Sequence, residues 1–310
     1  MSIYHLVLCG IFLPGIQSTV TVETGFKNYT KYEHGDMNII ITAPHGGFKR
    51  PSTQDNLANW PDRADGCKDS FGKCVWTHDC GTTSTDCDAR TFNDLYTRAI
   101  AQDIADKIKD ITGFRPHVVY NMLSRRKLDA NREINEATFN VPDAITAYQD
   151  YTNFINQARS AVSGPGFLLD VHGQTHTPAR TELGYAIPGS RLDSGSYTIS
   201  RSSIRSLGQY WCGNDNVCFK DFVQGNRSLG HFMNEEGLDA VPSTQDPSPN
   251  GESYFSGGYT VREYGSRVGG DIDAIQMEFD RAFRLGWRND EDTQEKVARA
   301  ILSFRELNYA

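Results

Sequence analysis

A chain of 310 residues can bury one large core or two small ones. Hydrophobic residues make up 38% of it, and no apolar run reaches the roughly 18–20 residues of a bilayer span, which argues against a membrane helix. A net charge of −8 and a pI of about 5.5 set nucleic acid aside as a partner, because phosphate backbones are bound by basic surface.

Residues 1–18 read as a secretory signal peptide. Positions 6–16 form a short apolar stretch of suitable length, and small Ser18 precedes the cut. Residues 19–310 are then one domain, with neither an internal repeat nor an interdomain linker. Loss of Cys9 with the signal leaves Cys67, Cys74, Cys80, Cys87, Cys212 and Cys218, an even set that reads as three disulfides in a secreted chain. Cys212 and Cys218 enclose a short polar loop and are expected to pair; the other four allow three connectivities. The sequons at Asn28 and Asn226 fit a glycosylated, secreted protein.

Along the mature chain, residues 37–42 form a β-branched strand between Gly35 and Pro44. Residues 48–87 are rich in Asp, Pro, Gly, Cys and Thr, an irregular insertion that disulfides would tie down. Helical spacing then runs over 91–111, through Phe92, Leu95, Ala99, Ile100, Ile104 and Ile108. A strand is expected over 116–122, a helix over 147–162 ended by Gly164-Pro165-Gly166, and strands over 167–171 and 274–279. An amphipathic helix over 293–307 closes the chain, with Val297, Ala300, Ile301 and Phe304 on one face. Alternating strands and helices predict a single α/β domain: a mixed, mostly parallel sheet flanked by helices, with a Cys-rich loop insertion. Ligands of such sheets bind beyond the carboxyl ends of the strands.

Two of those ends carry His-Gly. His45 stands in Ala43-Pro44-His45-Gly46-Gly47, and His172 in Asp170-Val171-His172-Gly173. One such histidine is more often structural, but the pair points to a metal. Asp170 shares a strand face with His172 and can fix its tautomer. His176, between Gly173 and Pro178, is read as pocket lining. A catalytic zinc takes three protein ligands and a water. The third ligand is sought among Asp79, Asp86 and Asp88, and Asp88 stands nearest the helix start, where it competes with a capping role. Glu278, in the apolar run 274–279, is a buried carboxylate suited to moving a proton beside a metal; a salt bridge to Arg281 or Arg284 is the alternative. The cluster Arg125-Arg126-Lys127 with Asn131 and Arg132 is either a surface charge run or a clamp for a substrate carboxylate. G-x-S-x-G, P-loop, H-E-x-x-H and dinucleotide fingerprints are absent from the sequence.

Taken in order, these segments resemble the N-formylglutamate amidohydrolase family of the zinc carboxypeptidase-like fold, over about residues 39–284. The resemblance rests on Ala-Pro-His45-Gly-Gly, Asp88 before a helix, Ser124-Arg125 with Asp129-Ala130-Asn131-Arg132, Asp170-Val171-His172-Gly173, Gly257-Gly258-Tyr259 and Gln276-Met277-Glu278. It implies Zn2+ on His45, Asp88 and His172, with Glu278 as general base and Arg125 on the oxyanion. It further implies a substrate carboxylate on Arg132 with Asn131, and a substrate loop at Gly257, Gly258 and Tyr259. Phe48 stands where zinc carboxypeptidases carry a ligand Glu, so the acidic ligand comes from elsewhere. Secretion directs the substrate expectation toward an extracellular N-acyl amino acid, a peptide C-terminus or a γ-glutamyl polymer. The competing reading is a secreted binding or matrix protein that keeps the fold without turnover. The sequence is silent on oligomeric state.

Overall fold

The computed structural model describes residues 20–51, 59–80 and 87–310. The expected signal peptide lies outside the described residues, as does Asp86. Elements run β1 (Val22–Thr24), β2 (Thr30–Glu33), β3 (Ile39–Ala43), a hairpin of β4 (Cys67–Lys68) and β5 (Cys74–Val75), α1 (Thr97–Thr112), β6 (His117–Asn121), α2 (Ile134–Thr138) and α3 (Pro142–Ala161). Next come β7 (Gly166–Gly173), β8 (Thr181–Gly184), α4 (Gly189–Asp193), α5 (Arg205–Cys212), α6 (Asn216–Val223), α7 (Leu229–Glu235) and β9 (Ala240–Val241). The chain ends with α8 (Tyr259–Tyr264), β10 (Ile272–Phe279), α9 (Arg281–Gly286) and α10 (Glu291–Tyr309).

Eight strands form one mixed sheet in the order β1-β2-β6-β3-β7-β10-β8-β9. The central four, β6-β3-β7-β10, are parallel, and the antiparallel pairs β2–β6 and β10–β8 flank them. Strand alternation sorts the core into two layers. Ile39, Ile41, Phe167, Leu169, Val171, Ile275 and Met277 pack with α1, α10 and α5–α7 on one face. Ile40, Val119, Leu168 and Ala274 pack with α3 and α8 on the other. The expected α/β domain is therefore present, with helices on both faces of a largely parallel sheet.

The expected disulfides form as Cys67–Cys80, Cys74–Cys87 and Cys212–Cys218. The first two cross-link the β4–β5 hairpin, a segment with little core of its own. Such bonds persist in oxidising surroundings, and among the described residues no helix is long and apolar enough to cross a membrane. Asn28 and Asn226 are both exposed.

The sequence placed two helix starts wrongly. The helix expected from residue 91 starts at Thr97, because Tyr96 adopts a left-handed conformation (φ 69°) that interrupts the backbone before it. Phe92, counted as an apolar-face residue, is 78% exposed. The preceding segment is thereby free to run as a loop over the carboxyl ends of β3 and β7, which decides the identity of a ligand below. α3 begins at Pro142, five residues before its expected start at 147, with proline in the first turn, where its missing N–H costs nothing.

Candidate active site

Three central strands deliver polar residues to one face of the sheet at their carboxyl ends. Asp170 and His172 of β7 pair in register with Gln276 and Glu278 of β10. Glu278 in turn faces Glu182 of β8. Thr42 at the end of β3 donates to Asp170 Oδ1 at 2.6 Å. His45 comes directly after β3, in a turn where Gly46 and Gly47 leave no room for side chains. A Cβ on Gly46 would lie 2.3 Å from the Arg98 backbone nitrogen, and one on Gly47 2.3 Å from the Met122 carbonyl carbon.

His45 Nδ1 and His172 Nδ1 lie 3.1 Å apart, and each is 3.1 Å from Asp94 Oδ2. All three residues are buried or nearly so. The far nitrogen of each ring faces a carboxylate: His45 Nε2 is 2.6 Å from Asp129 Oδ1, and His172 Nε2 is 2.8 Å from Asp170 Oδ2. A carboxylate accepts only, so in the neutral ring each Nε2 donates to the carboxylate behind it and Nδ1 is left with its lone pair. Two imidazole nitrogens and a carboxylate oxygen thus converge on one point. That donor set suits a cation, with Asp129 and Asp170 orienting the rings from behind.

Asp94, not Asp88, completes this group. Asp88 is exposed and stands outside it, because the chain from 88 to 96 is a loop that carries Asp94 inward. The Asp94 amide donates to the His45 carbonyl at 3.3 Å, and Gly173 N–H donates to Asp94 Oδ2 at 3.3 Å. Asp79 is likewise exposed.

Burial alone would raise the Asp94 carboxyl, but His45 and His172 outweigh it and hold it well below the usual carboxylate range. Asp129 is also driven far down, since Arg125 and His45 overcome its complete burial. For His172, burial opposes the charged form, while Asp170 and Asp94 more than reverse this and raise the ring well above the ordinary histidine value. Burial pushes Glu278 up to about 8; Asp94 and Glu182 add to the rise, while His172 and Arg125 oppose it. Glu278 Oε1 accepts from Gln276 Nε2 at 2.9 Å, whereas Oε2 is buried without a hydrogen-bond partner. The alternative salt bridge from Arg284 is not made. That guanidinium donates instead to the carbonyls of Phe279, Leu95 and Gln174, each at 3.0 Å.

The loop after β6 supplies the basic side. Arg125 Nε donates to Asp129 Oδ2 at 2.8 Å, and its Nη1 stands 3.6 Å from Asp94 Oδ1. Burial disfavours the Arg125 charge, but Asp129 and Asp94 prevail and raise it. Buried Arg63 anchors this loop through the carbonyls of Glu136, Arg90 and Arg125. Arg132 Nε donates to Glu136 Oε1 and its Nη1 to the Asn131 carbonyl. The Asn131 amide is already engaged: its Oδ1 accepts from Thr260 N and Oγ1, and its Nδ2 lies 3.1 Å from His172 Nε2.

The metal-type group, Glu278, Arg125 and Arg132 line one cavity of about 720 Å3, together with Gly257, Gly258, His176, Phe255 and Arg262. His45, Asp94, Arg125, Arg132, His172 and Glu278 all reach it; Asp88 and Tyr259 do not. Sequence reasoning missed Asp94, Asp129 as a partner of His45, and Glu182. The apolar spacing drawn through Phe92 and Leu95 carried no signal for Asp94, because it ran the helix over the loop that holds it.

Gly258 joins its loop to Gln276, the strand neighbour of Glu278. Its N–H donates to Gln276 Oε1 at 2.6 Å, and a Cβ there would sit 2.4 Å from Asn131 Nδ2. Gly258→Ala is therefore expected to push Asn131 off His172. A displacement of about 1 Å can cost on the order of 100-fold in rate, so kcat/KM should fall by about 10–100-fold while the thermal midpoint moves little. Steady-state kinetics with a melting curve check this.

No protein-family model and no curated protein matches the chain. Solved structures do resemble it at low identity. A gene product of Agrobacterium tumefaciens is 12% identical, with a TM-score of 0.45, over 91% of this chain and 97% of that one. The N-formylglutamate amidohydrolase from Ralstonia eutropha JMP134 is 11% identical, with a TM-score of 0.44, over 93% and 97%. The succinylglutamate desuccinylase from Chromobacterium violaceum is 10% identical, with a TM-score of 0.38, over 94% and 71%. All three scores lie below 0.5, and the functional reading rests on the geometry of the site.

Proposed function

We propose that this chain is a secreted, zinc-dependent hydrolase of amide bonds, of the N-formylglutamate amidohydrolase type, acting on a small molecule or peptide that bears a carboxylate. The observation that carries the reading is the convergence of His45 Nδ1, His172 Nδ1 and Asp94 Oδ2 beside the unpartnered Oε2 of Glu278. Two imidazoles and one carboxylate with an open side favour zinc among common ions. Held by His45, His172 and Asp94, zinc would supply Lewis-acid polarisation of a carbonyl and increased acidity of water at the site.

The chain's own residues supply the rest. Glu278 Oε2 takes the proton of the attacking water as its oxygen adds to the amide carbon. As the C–N bond breaks, Glu278 returns that proton to the departing amine, leaving a carboxylic acid and an amine. A buried carboxyl with a raised affinity for protons suits both halves of this transfer. Arg125, held by Asp129, faces negative charge developing on the carbonyl oxygen; donors placed for that purpose are typically worth about 3–4 kcal/mol. Arg132 binds the substrate carboxylate on the β6 side of the cavity. Asn131 supports it by fixing the start of α8 through Thr260.

Metal content of the purified protein, measured with N-acyl amino acid and peptide turnover before and after chelation, tests the reading. One zinc per chain with chelator-sensitive turnover supports it. Zinc without turnover on any amide would favour the non-catalytic binding protein, and no zinc uptake would remove the metal assignment.

Metal uptake should also release protons. In the metal-free site Asp170 and Asp94 raise the proton affinity of His172, and burial pushes Glu278 up to about 8. A cation favours the deprotonated forms. Zinc affinity is therefore expected to rise as pH rises toward about 8. Calorimetry in buffers of different ionisation enthalpy should show net proton release; uptake or no exchange would contradict it.

A further inference from the structure

Glu182 is a buried carboxylate that the chemistry above does not use. It sits on β8 directly across from Glu278 and is 1% exposed. Both its oxygens are engaged. Oε1 is 2.8 Å from His176 Nδ1, and Oε2 accepts from the Phe255 amide at 2.7 Å. The His176 ring lies against Phe255, with centroids 4.6 Å apart. Gln174 fixes the loop beneath: its Oε1 accepts from the His176 amide, and its Nε2 donates to the Arg180 carbonyl at 2.7 Å. The Phe255 loop is in turn held on β8 by Tyr254 Oη, which donates to the Leu183 carbonyl at 2.6 Å. His176 is thus oriented from both ring and backbone, and its Nε2 has no hydrogen-bond partner among the described residues. Such preorganisation marks a group held for a ligand.

Its position says which part of a ligand. Arg132 lies in the loop after β6, whereas His176 and Glu182 belong to β8 and the loop before it, on the opposite side of β3, β7 and β10. Neighbouring strands lie about 4.8 Å apart, so the two groups bracket the zinc ligands and Glu278. A substrate whose amine half carries a carboxylate to Arg132 must send its acyl half toward His176. A cavity of about 720 Å3 has room for an acyl group longer than one carbon.

We infer that His176, held by Glu182, reads the acyl half of the substrate through a hydrogen bond from Nε2 to a polar or anionic group at its far end, with Phe255 covering the apolar stem. The substrate class is then an amide whose acyl part is several atoms long and ends in a polar group. This rests on the hydrolase reading above, so the test separates the two. N-formyl-, N-pentanoyl- and N-glutarylglutamate are titrated by calorimetry into the zinc-loaded Glu278→Gln protein. The titrations are repeated after adding His176→Phe, and again after adding His176→Phe with Glu182→Gln so that no buried charge is left alone. Wild-type turnover of the three compounds is measured in parallel.

A hydrogen bond to a charged group is worth about tenfold or more in affinity. Glutaryl should therefore bind at least tenfold more tightly than pentanoyl, and both His176 variants should bring that ratio close to one. A ratio unchanged by either variant, or already near one with His176 present, overturns the inference whatever turnover shows. An intact ratio without turnover counts against the hydrolase reading alone. Failure of all three compounds to bind overturns both.

Discussion

Replacing Glu278 with glutamine is expected to lower kcat by about 10²–10⁴-fold, the usual contribution of a positioned acid–base group, while zinc stays bound and KM changes little. The side-chain oxygen of glutamine can still accept from Gln276 Nε2, so the local frame survives. The amide nitrogen that replaces Oε2 has no lone pair to take a proton from water. Folding should not suffer, because the substitution removes a buried carboxyl whose Oε2 has no hydrogen-bond partner. Three measurements check this: turnover on the best substrate found, zinc per chain, and the thermal midpoint. A fully active glutamine variant would sink the role assigned to Glu278. Loss of zinc in that variant would instead make Glu278 a part of the metal site.

The second large effect separates two aspartates six positions apart. Asp94→Ala should weaken zinc binding by more than the roughly 10–100-fold typical of changes behind the ligands, whereas Asp88→Ala should leave it unchanged. Asp94 Oδ2 lies 3.1 Å from both histidine Nδ1 atoms, and Asp88 is exposed. His45→Ala and His172→Ala should behave as Asp94→Ala does. Asp129→Asn should fall within the smaller range, because Asp129 orients the His45 ring from its far side. Competition with a chromogenic chelator gives all five affinities. If Asp88→Ala lost the metal and Asp94→Ala kept it, the site drawn from this structure would be wrong.

Several features were legible in the sequence because each depends on local pattern. The β-branched and apolar runs at 37–42, 167–171 and 274–279 became β3, β7 and β10, since strands buried on both faces read as continuous apolar segments. His45 and His172 were readable because a parallel sheet brings the carboxyl ends of its strands, and the residues just beyond them, to a common edge. Glu278 stood out as the carboxylate that an apolar strand had no other reason to hold. Six cysteines beyond residue 18 announced disulfides, and the expected Cys212–Cys218 pair formed.

Tertiary structure alone decided the rest. Which aspartate meets the histidines depends on where α1 begins, and that was set by the left-handed turn at Tyr96, which apolar spacing does not encode. Asp129 meets His45 from 84 positions away, and Glu182 meets Phe255 from 73 positions away. Glu182 gains its place because β8 turns antiparallel and sets it across from Glu278. Periodicity reports which face of an element is buried. Which polar groups from distant segments then share that burial, and so must satisfy one another, is fixed only when the strands are assembled.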